Sequence, residues 1–290
     1  MKAKRQVLIW ILLAVVGLCV VAVGIAPVRR HLASTARAVR SISKAVLDRS
    51  RVRADSRGNY TNVVFLHHSV GHNLIRQGRL RERLRQAGFD LYDQDYNNLG
   101  LFRPDGTPAG YGYNVPGDNT NPEGLLRVFK QKRYGLPWNT LSGFFQHEVI
   151  VLKSCYIAVQ YLTAADTEAQ KSSYRQIRDH LARHPDKLFV ILTSPPANPA
   201  ETDAYSASQA RVLADWLQSE EFQAGTVNLY VFDLFAFFAE NNPDSPGYNM
   251  LRREFRWGQD SHPNQLANES LSPVLADFIV KSVESFRKRK

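Results

Sequence analysis

Ser69 and the compact run Asp260-Ser261-His262 are the residues of this chain whose types and placement could do chemistry together. A serine hydroxyl is a weak nucleophile until an imidazole takes its proton. A carboxylate behind the ring then holds it in the productive tautomer and stabilises its charged form. Such a set opens esters by acyl transfer. Ser69 follows Val63-Val64-Phe65-Leu66, an apolar and partly β-branched run that reads as a buried strand. After it come Leu74, Ile75, Leu80 and Leu84 at roughly helical spacing. At a strand-to-helix junction, backbone N–H groups of the helix N-terminus can face developing negative charge. A serine after a strand is common in any chain of this size, so the weight lies on the combination.

Other residue types invite competing chemistry. His67, His68, His72 and His147 suggest a metal cluster, but zinc needs three or four convergent ligands. His68 and His72 have i, i+4 spacing, yet Ser69 and Gly71 interrupt a helix there, so packing or hydrogen bonding at the strand end is the expectation. Neither a metal nor a cofactor is expected. Cys155, the one cysteine after the N-terminal region, reads as a buried thiol. His67-x-Ser69-x-Gly71 approximates a nucleophile elbow. That arrangement places several strands before the serine and separates acid from histidine; here one strand precedes Ser69, and Asp260 nearly abuts His262.

The elements that must position these groups alternate from Asn59 onward. Strands are expected at Val63–Leu66, Val149–Leu152, Leu188–Leu192 and Leu229–Phe232, with a weaker one at Phe89–Tyr92. Helical patterns occupy roughly 72–87, 167–183, 204–221 and 266–287. This alternation predicts an α/β domain, a parallel sheet of about five strands covered by helices on both faces. Residues 93–121 are rich in Asn, Gly, Pro and Tyr, and a loop of that length in a compact domain is functional or disordered. Following the second strand, it is expected to face substrate at the ligand-binding edge of the sheet.

The N-terminal region divides differently. Residues 1–6 form a short basic tail. Within 7–27, Val7 to Ala26 is twenty apolar or small residues without a charge, long enough to span a bilayer as one helix. A cleaved signal peptide is disfavoured because the run ends in Pro27-Val28-Arg29-Arg30. Residues 28–58 read as a basic stalk and 59–290 as the soluble domain. The net charge of +10 sits wholly before residue 59: 12 basic and 2 acidic residues lie there, leaving 25 of each sign afterwards. That distribution fits anionic headgroups and excludes nucleic acid as an expected partner. Charge flanking the helix leans towards a cytoplasmic domain.

In its order of elements, the chain resembles the SGNH hydrolases, also called GDSL esterases and lipases. That family places a nucleophilic serine just after its first strand and a base with its orienting acid just before its last helix. Ser69 and Asp260-Ser261-His262-Pro263-Asn264 occupy those places, and the resemblance covers about residues 60–285. It implies a three-layer α/β/α sandwich of flavodoxin-like type, a Ser69–His262–Asp260 mechanism and an O-acyl ester substrate, small or glycan-borne. Transfer of the acyl group to a sugar is the related activity. It also makes an extracytoplasmic domain the expected placement. The motifs depart from the pattern. His67-His68-Ser69 stands for Gly-Asp-Ser, Asp260-x-His262 shortens Asp-x-x-His with Gln259 at the usual acid position, and Lys153-Ser154-Cys155-Tyr156 replaces Gly-x-Asn-Asp. Oxyanion or substrate contacts are therefore sought among Gly71, Asn98, Gly100, Gly117, Asn119, Ser154 and Cys155. These altered blocks also leave room for a catalytically inactive carbohydrate-binding or scaffold protein with the same fold.

Overall fold

The computed structural model describes residues 36, 39–49, 52, 58–97, 100–115 and 118–290. The expected membrane helix at 7–27 lies outside the described residues. Among those described, no helix is long and apolar enough to cross a membrane.

Six strands form one sheet: β1 (Asn62–His67), β2 (Asp90–Asp95), β3 (Gly100–Phe102), β4 (Val149–Lys153), β5 (Leu188–Leu192) and β6 (Leu229–Phe232). Their order is β3-β2-β1-β4-β5-β6. All neighbours are parallel except β3, which runs antiparallel along β2. The expectation of about five strands thus falls short by β3, whose three residues lie inside the segment read as a loop. A strand so short carries no period of its own. β2 also runs further than its apolar start suggests. Its buried Asp93, Gln94 and Asp95 each find a polar partner, the condition under which such side chains enter a core.

Parallel strands covered on both faces read as continuous apolar runs, and side chains alternate between the faces. Val64, Leu66, Ile150, Leu152, Phe189 and Ile191 point to one core, closed by α3 (Pro122–Phe129), α5 (Ala164–Leu181) and α6 (Ala204–Gln218). Val63, Phe65, Val149, Val151, Val190 and Leu192 point to the other. There α1 (Ser69–Arg76), α2 (Leu80–Gln86) and the long α9 (Gln265–Lys288) cover them. Short helices α4 (Thr140–Phe144), α7 (Glu220–Gln223) and α8 (Leu234–Phe238) complete the layers. The helical stretch expected at 72–87 is broken at Gln77-Gly78-Arg79. A side chain on Gly78 would fall 1.8 Å from Ser272 Oγ of α9, so only glycine lets the two helices meet there.

Residues 39–49 are helical, and part of the segment read as a stalk lies against the domain. Ala45 and Val52 are buried with the first core, and Asp48 pairs with Arg103 and accepts from the Tyr111 hydroxyl.

Candidate active site

The C-terminal edge of a parallel sheet gathers loop residues from several strands, and this one gathers Ser69. β1 ends at His67, and His68 takes an extended conformation as N-cap, so Ser69 opens α1. The first intrahelical bond runs from His72 N–H to the His68 carbonyl. The N–H groups of Ser69, Val70 and Gly71 consequently have no acceptor among the described residues, as expected of a first helical turn. Gly71 has a packing reason to be glycine: a Cβ there would stand 2.3 Å from His67 Cβ.

His262 comes from the other end of the chain, in the loop before α9. Its Nε2 lies 2.6 Å from Ser69 Oγ, and its Nδ1 lies 2.6 Å from Asp260 Oδ1. The same carboxylate oxygen accepts the His262 backbone N–H at 3.0 Å. A spacing of two residues therefore suffices: the acid folds back on the residue two ahead, grips its backbone and orients its ring. Burial alone would raise the Asp260 carboxyl, but hydrogen bonds from the His262 backbone and ring, with its charge, hold it below the ordinary carboxylate value. Tyr156 meets the imidazole edge-on, with ring centres 5.2 Å apart.

Residues that sequence reasoning passed over hold this loop. Ser261, between Asp260 and His262, is fully buried; its hydroxyl is hydrogen-bonded to Glu201 and accepts the Asn198 N–H at 2.8 Å. Asn198 Nδ2 donates to the carbonyls of Gly258 and Asp260. Asn264 caps α9 through Ala267 N–H and donates to the carbonyls of Glu254 and Arg256. Asn198 and Glu201 follow Thr193-Ser194-Pro195-Pro196, and nothing in their local pattern announces the contact.

The oxyanion candidates separate. Asn119 is at the site, its Oδ1 2.9 Å from His68 Nε2. Ser154 is buried with its hydroxyl 2.8 Å from the Tyr174 hydroxyl, and Cys155 is buried with its N–H donated to the Thr120 carbonyl. Gly100 is a β3 residue paired with Asp95, and no contact joins it to Ser69. Asn98 and Gly117 lie outside the described residues.

Each of the four histidines once considered for a metal has its own partner. His67 spans the His68 carbonyl and Asp93, His72 pairs with Asp95, and His147 sits between Asn62 Oδ1 and the Tyr113 hydroxyl. Among the described residues, no group of three or more His, Cys, Asp or Glu side chains is arranged to hold a metal ion. Burial pushes His68 down to about 4, partly offset by its hydrogen bond to Asn119, which keeps the ring neutral near pH 7. At the end of β4, burial lowers Lys153 to about 8; its ammonium donates to the Ser154 carbonyl at 2.9 Å.

Two clefts flank this edge. One of about 430 Å³ is lined by Thr120, Asn121, Ile157, Gln160 and Tyr161 among others. The second, about 520 Å³, includes Tyr96, Tyr111, Asn114 and Asn119. Neither is lined by Ser69 or His262.

No protein-family model matches the chain, and no curated protein matches it. Among solved structures it is similar to a proposed acylhydrolase from Bacteroides fragilis, at 14% identity over 76% of this chain and 87% of that one, with TM-score 0.43. It is similar to a GDSL-like lipase from Bacteroides thetaiotaomicron, at 11% identity over the same shares, 76% and 87%, with TM-score 0.43. A proposed platelet activating factor from Streptococcus pneumonia is similar at 11% identity over 86% of this chain and 99% of that one, with TM-score 0.48.

Proposed function

We propose that this chain is a serine-dependent ester hydrolase in which Ser69 is the nucleophile, His262 the general base and acid, and Asp260 the group that orients His262. One observation carries the reading: the continuous hydrogen-bonded line from Ser69 Oγ through both ring nitrogens of His262 to Asp260, each step 2.6 Å. Ser69 attacks the ester carbonyl as its proton passes to His262 Nε2. The tetrahedral oxyanion faces the unpaired N–H groups of the first turn of α1. Collapse expels the alkoxide, which takes the proton back from His262. Water then repeats the sequence on the acyl-enzyme and frees the acid. A sugar hydroxyl in place of water would make the same machinery an acyltransferase.

The substrate we propose is a short acyl group, such as acetyl, on a carbohydrate. The amide and hydroxyl side chains and exposed Tyr161 of the cleft of about 430 Å³ support this, being suited to a hydroxyl-rich partner. We also propose that the apolar run within residues 7–27 tethers the enzyme to a membrane with residues 59–290 on the extracytoplasmic side.

One experiment tests both readings. A membrane-impermeant fluorophosphonate is applied to intact cells making the full-length chain, and then to lysed cells. The expected result is labelling of intact cells that disappears in Ser69→Ala. Labelling after lysis alone would overturn the extracytoplasmic placement. No labelling in either, with no ester turnover, would overturn the hydrolase reading in favour of an inactive binding protein.

A further inference from the structure

Three features around Ser69 leave one side chain to complete the oxyanion site. The N–H groups of the first turn of α1 supply donors from one side only. Across the sheet edge, the Lys153 ammonium, the Ser154 hydroxyl and the Cys155 N–H each have another partner. The Ser154 hydroxyl meets Tyr174, the Cys155 N–H is given to Thr120, and the Lys153 ammonium donates to the Ser154 carbonyl. Asn119 is the described candidate whose side chain reaches the residue next to Ser69.

We propose that His68 is a positioning residue that turns the Asn119 carboxamide so that its NH₂ group donates to the oxyanion formed at Ser69. The inference rests on the ester-hydrolase reading. The position of the ring proton on His68 decides how the carboxamide is turned. His68 is 6% exposed, and its Nδ1 is buried without a partner among the described residues. A neutral ring has one N–H. If the proton sat on Nδ1, a buried donor would face no acceptor, which folded proteins rarely tolerate. With the proton on Nε2 the N–H is donated to Asn119 Oδ1, and Nδ1 is left as an unfilled acceptor, the cheaper deficit. Asn119 Oδ1 is then occupied, and the planar amide must present Nδ2 on its other side. No partner for Nδ2 exists among the described residues.

The surroundings keep this arrangement fixed. His68 is the extended N-cap of α1, and its ring packs against Tyr96 with centres 5.3 Å apart. The Asn119 segment is pinned at both flanks. Asp118 accepts from the Thr120 N–H, the Thr120 hydroxyl and Asn121 Nδ2, while the Thr120 carbonyl holds the Cys155 N–H. With Nε2–H donated to Asn119 and the Nδ1 lone pair buried, His68 offers no rival base beside the serine.

The test is a double-mutant cycle on ester hydrolysis by the full-length chain, with kcat and KM measured separately. Loss of one preorganised oxyanion donor lowers kcat by about 10²–10³-fold, which is the fall expected for Asn119→Ala, with KM nearly unchanged. His68→Ala is expected to lower kcat by about tenfold or more, and the double variant to be no worse than Asn119→Ala, because the two act as a unit. Two variants guard against loss of the fold. His68→Gln keeps a donor for Oδ1 and should recover most of the activity. Asn119→Asp keeps the shape and the acceptor but has no N–H, so it should fall as far as alanine. Full kcat in Asn119→Asp, or strictly additive losses in the cycle, overturns the proposal while leaving the hydrolase reading intact. Absence of Ser69-dependent turnover in the wild type overturns both.

Discussion

The two halves of the site are built from opposite materials. The Ser69 half is core: β1 is buried throughout, His67 is completely covered, and Val70 and Leu74 of α1 have no exposure at all. The Asp260–His262 half lies at the surface. The Asp260 side chain is 51% exposed and that of His262 30%, and a set of side-chain and backbone hydrogen bonds through Asn198, Glu201 and Asn264 holds the loop. Packing fixes the first half, where stability and geometry cannot be separated. Hydrogen bonds fix the second, where a side chain can be lost without opening the core.

The contrast is broken most directly by one substitution in each half. His262→Ala should cost about 10⁴-fold or more in kcat with a smaller loss of stability than a core substitution, because the ring is only partly buried and is held by hydrogen bonds outside the two cores. Gly71→Ala adds one methyl group, yet its Cβ meets His67 Cβ at 2.3 Å. Overpacking of that kind costs about 1–3 kcal/mol or more, so both stability and activity should fall. Ester turnover and urea unfolding on the same two proteins decide it. A stable, active Gly71→Ala would mean the Ser69 half yields as easily as the loop.

The same division explains what could be read from the sequence. β1, β4, β5 and β6 were legible as apolar runs, and Ser69 with Asp260 and His262 as chemistry at the ends of such runs. β3 was not, having too few residues for a period, nor was the break at Gly78, which depends on Ser272 some two hundred positions away. Asn198 and Glu201 share that reason: a polar contact across the chain leaves no local pattern. His68 was read as packing or hydrogen bonding at the strand end. It does pack, and its bond to Asn119 appears only once residues 51 positions apart are brought together.

Acid should expose the buried half first. His147 is fully covered between Asn62 and Tyr113, and burial pushes it from 6.5 down to about 3; His68 is pushed from 6.5 to about 4. Below pH 6.5 the unfolded chain takes protons that these folded histidines refuse, so stability falls as pH falls. The slope is about 1.4 kcal/mol per pH unit for each histidine, or roughly 2 kcal/mol each between pH 6.5 and 5. Urea midpoints across that range measure it, and His147→Gln should make the slope shallower, with His68, His180 and His184 supplying what remains. A flat profile would mean the buried rings are not held neutral.

Lys153 sharpens the comparison by a smaller effect. It lies in the buried half at 3% exposure, with its ammonium bonded to the Ser154 carbonyl and no carboxylate partner among the described residues. Burial lowers it from 10.5 to about 8, so at pH 7 the charged form is carried at full cost. That cost is relieved as pH rises from about 8 to 10.5, where the folded state gives up its proton first. Lys153→Met removes the desolvated charge and forfeits one hydrogen bond of about 1 kcal/mol, leaving an expected gain of about 1–2 kcal/mol at pH 7. The gain should shrink towards pH 10, as read from urea midpoints at the two pH values. A destabilised Lys153→Met would mean that the ammonium holds the strand end together. A variant that is more stable but slower would mean the buried charge is kept for the reaction, at the expense of the fold around it.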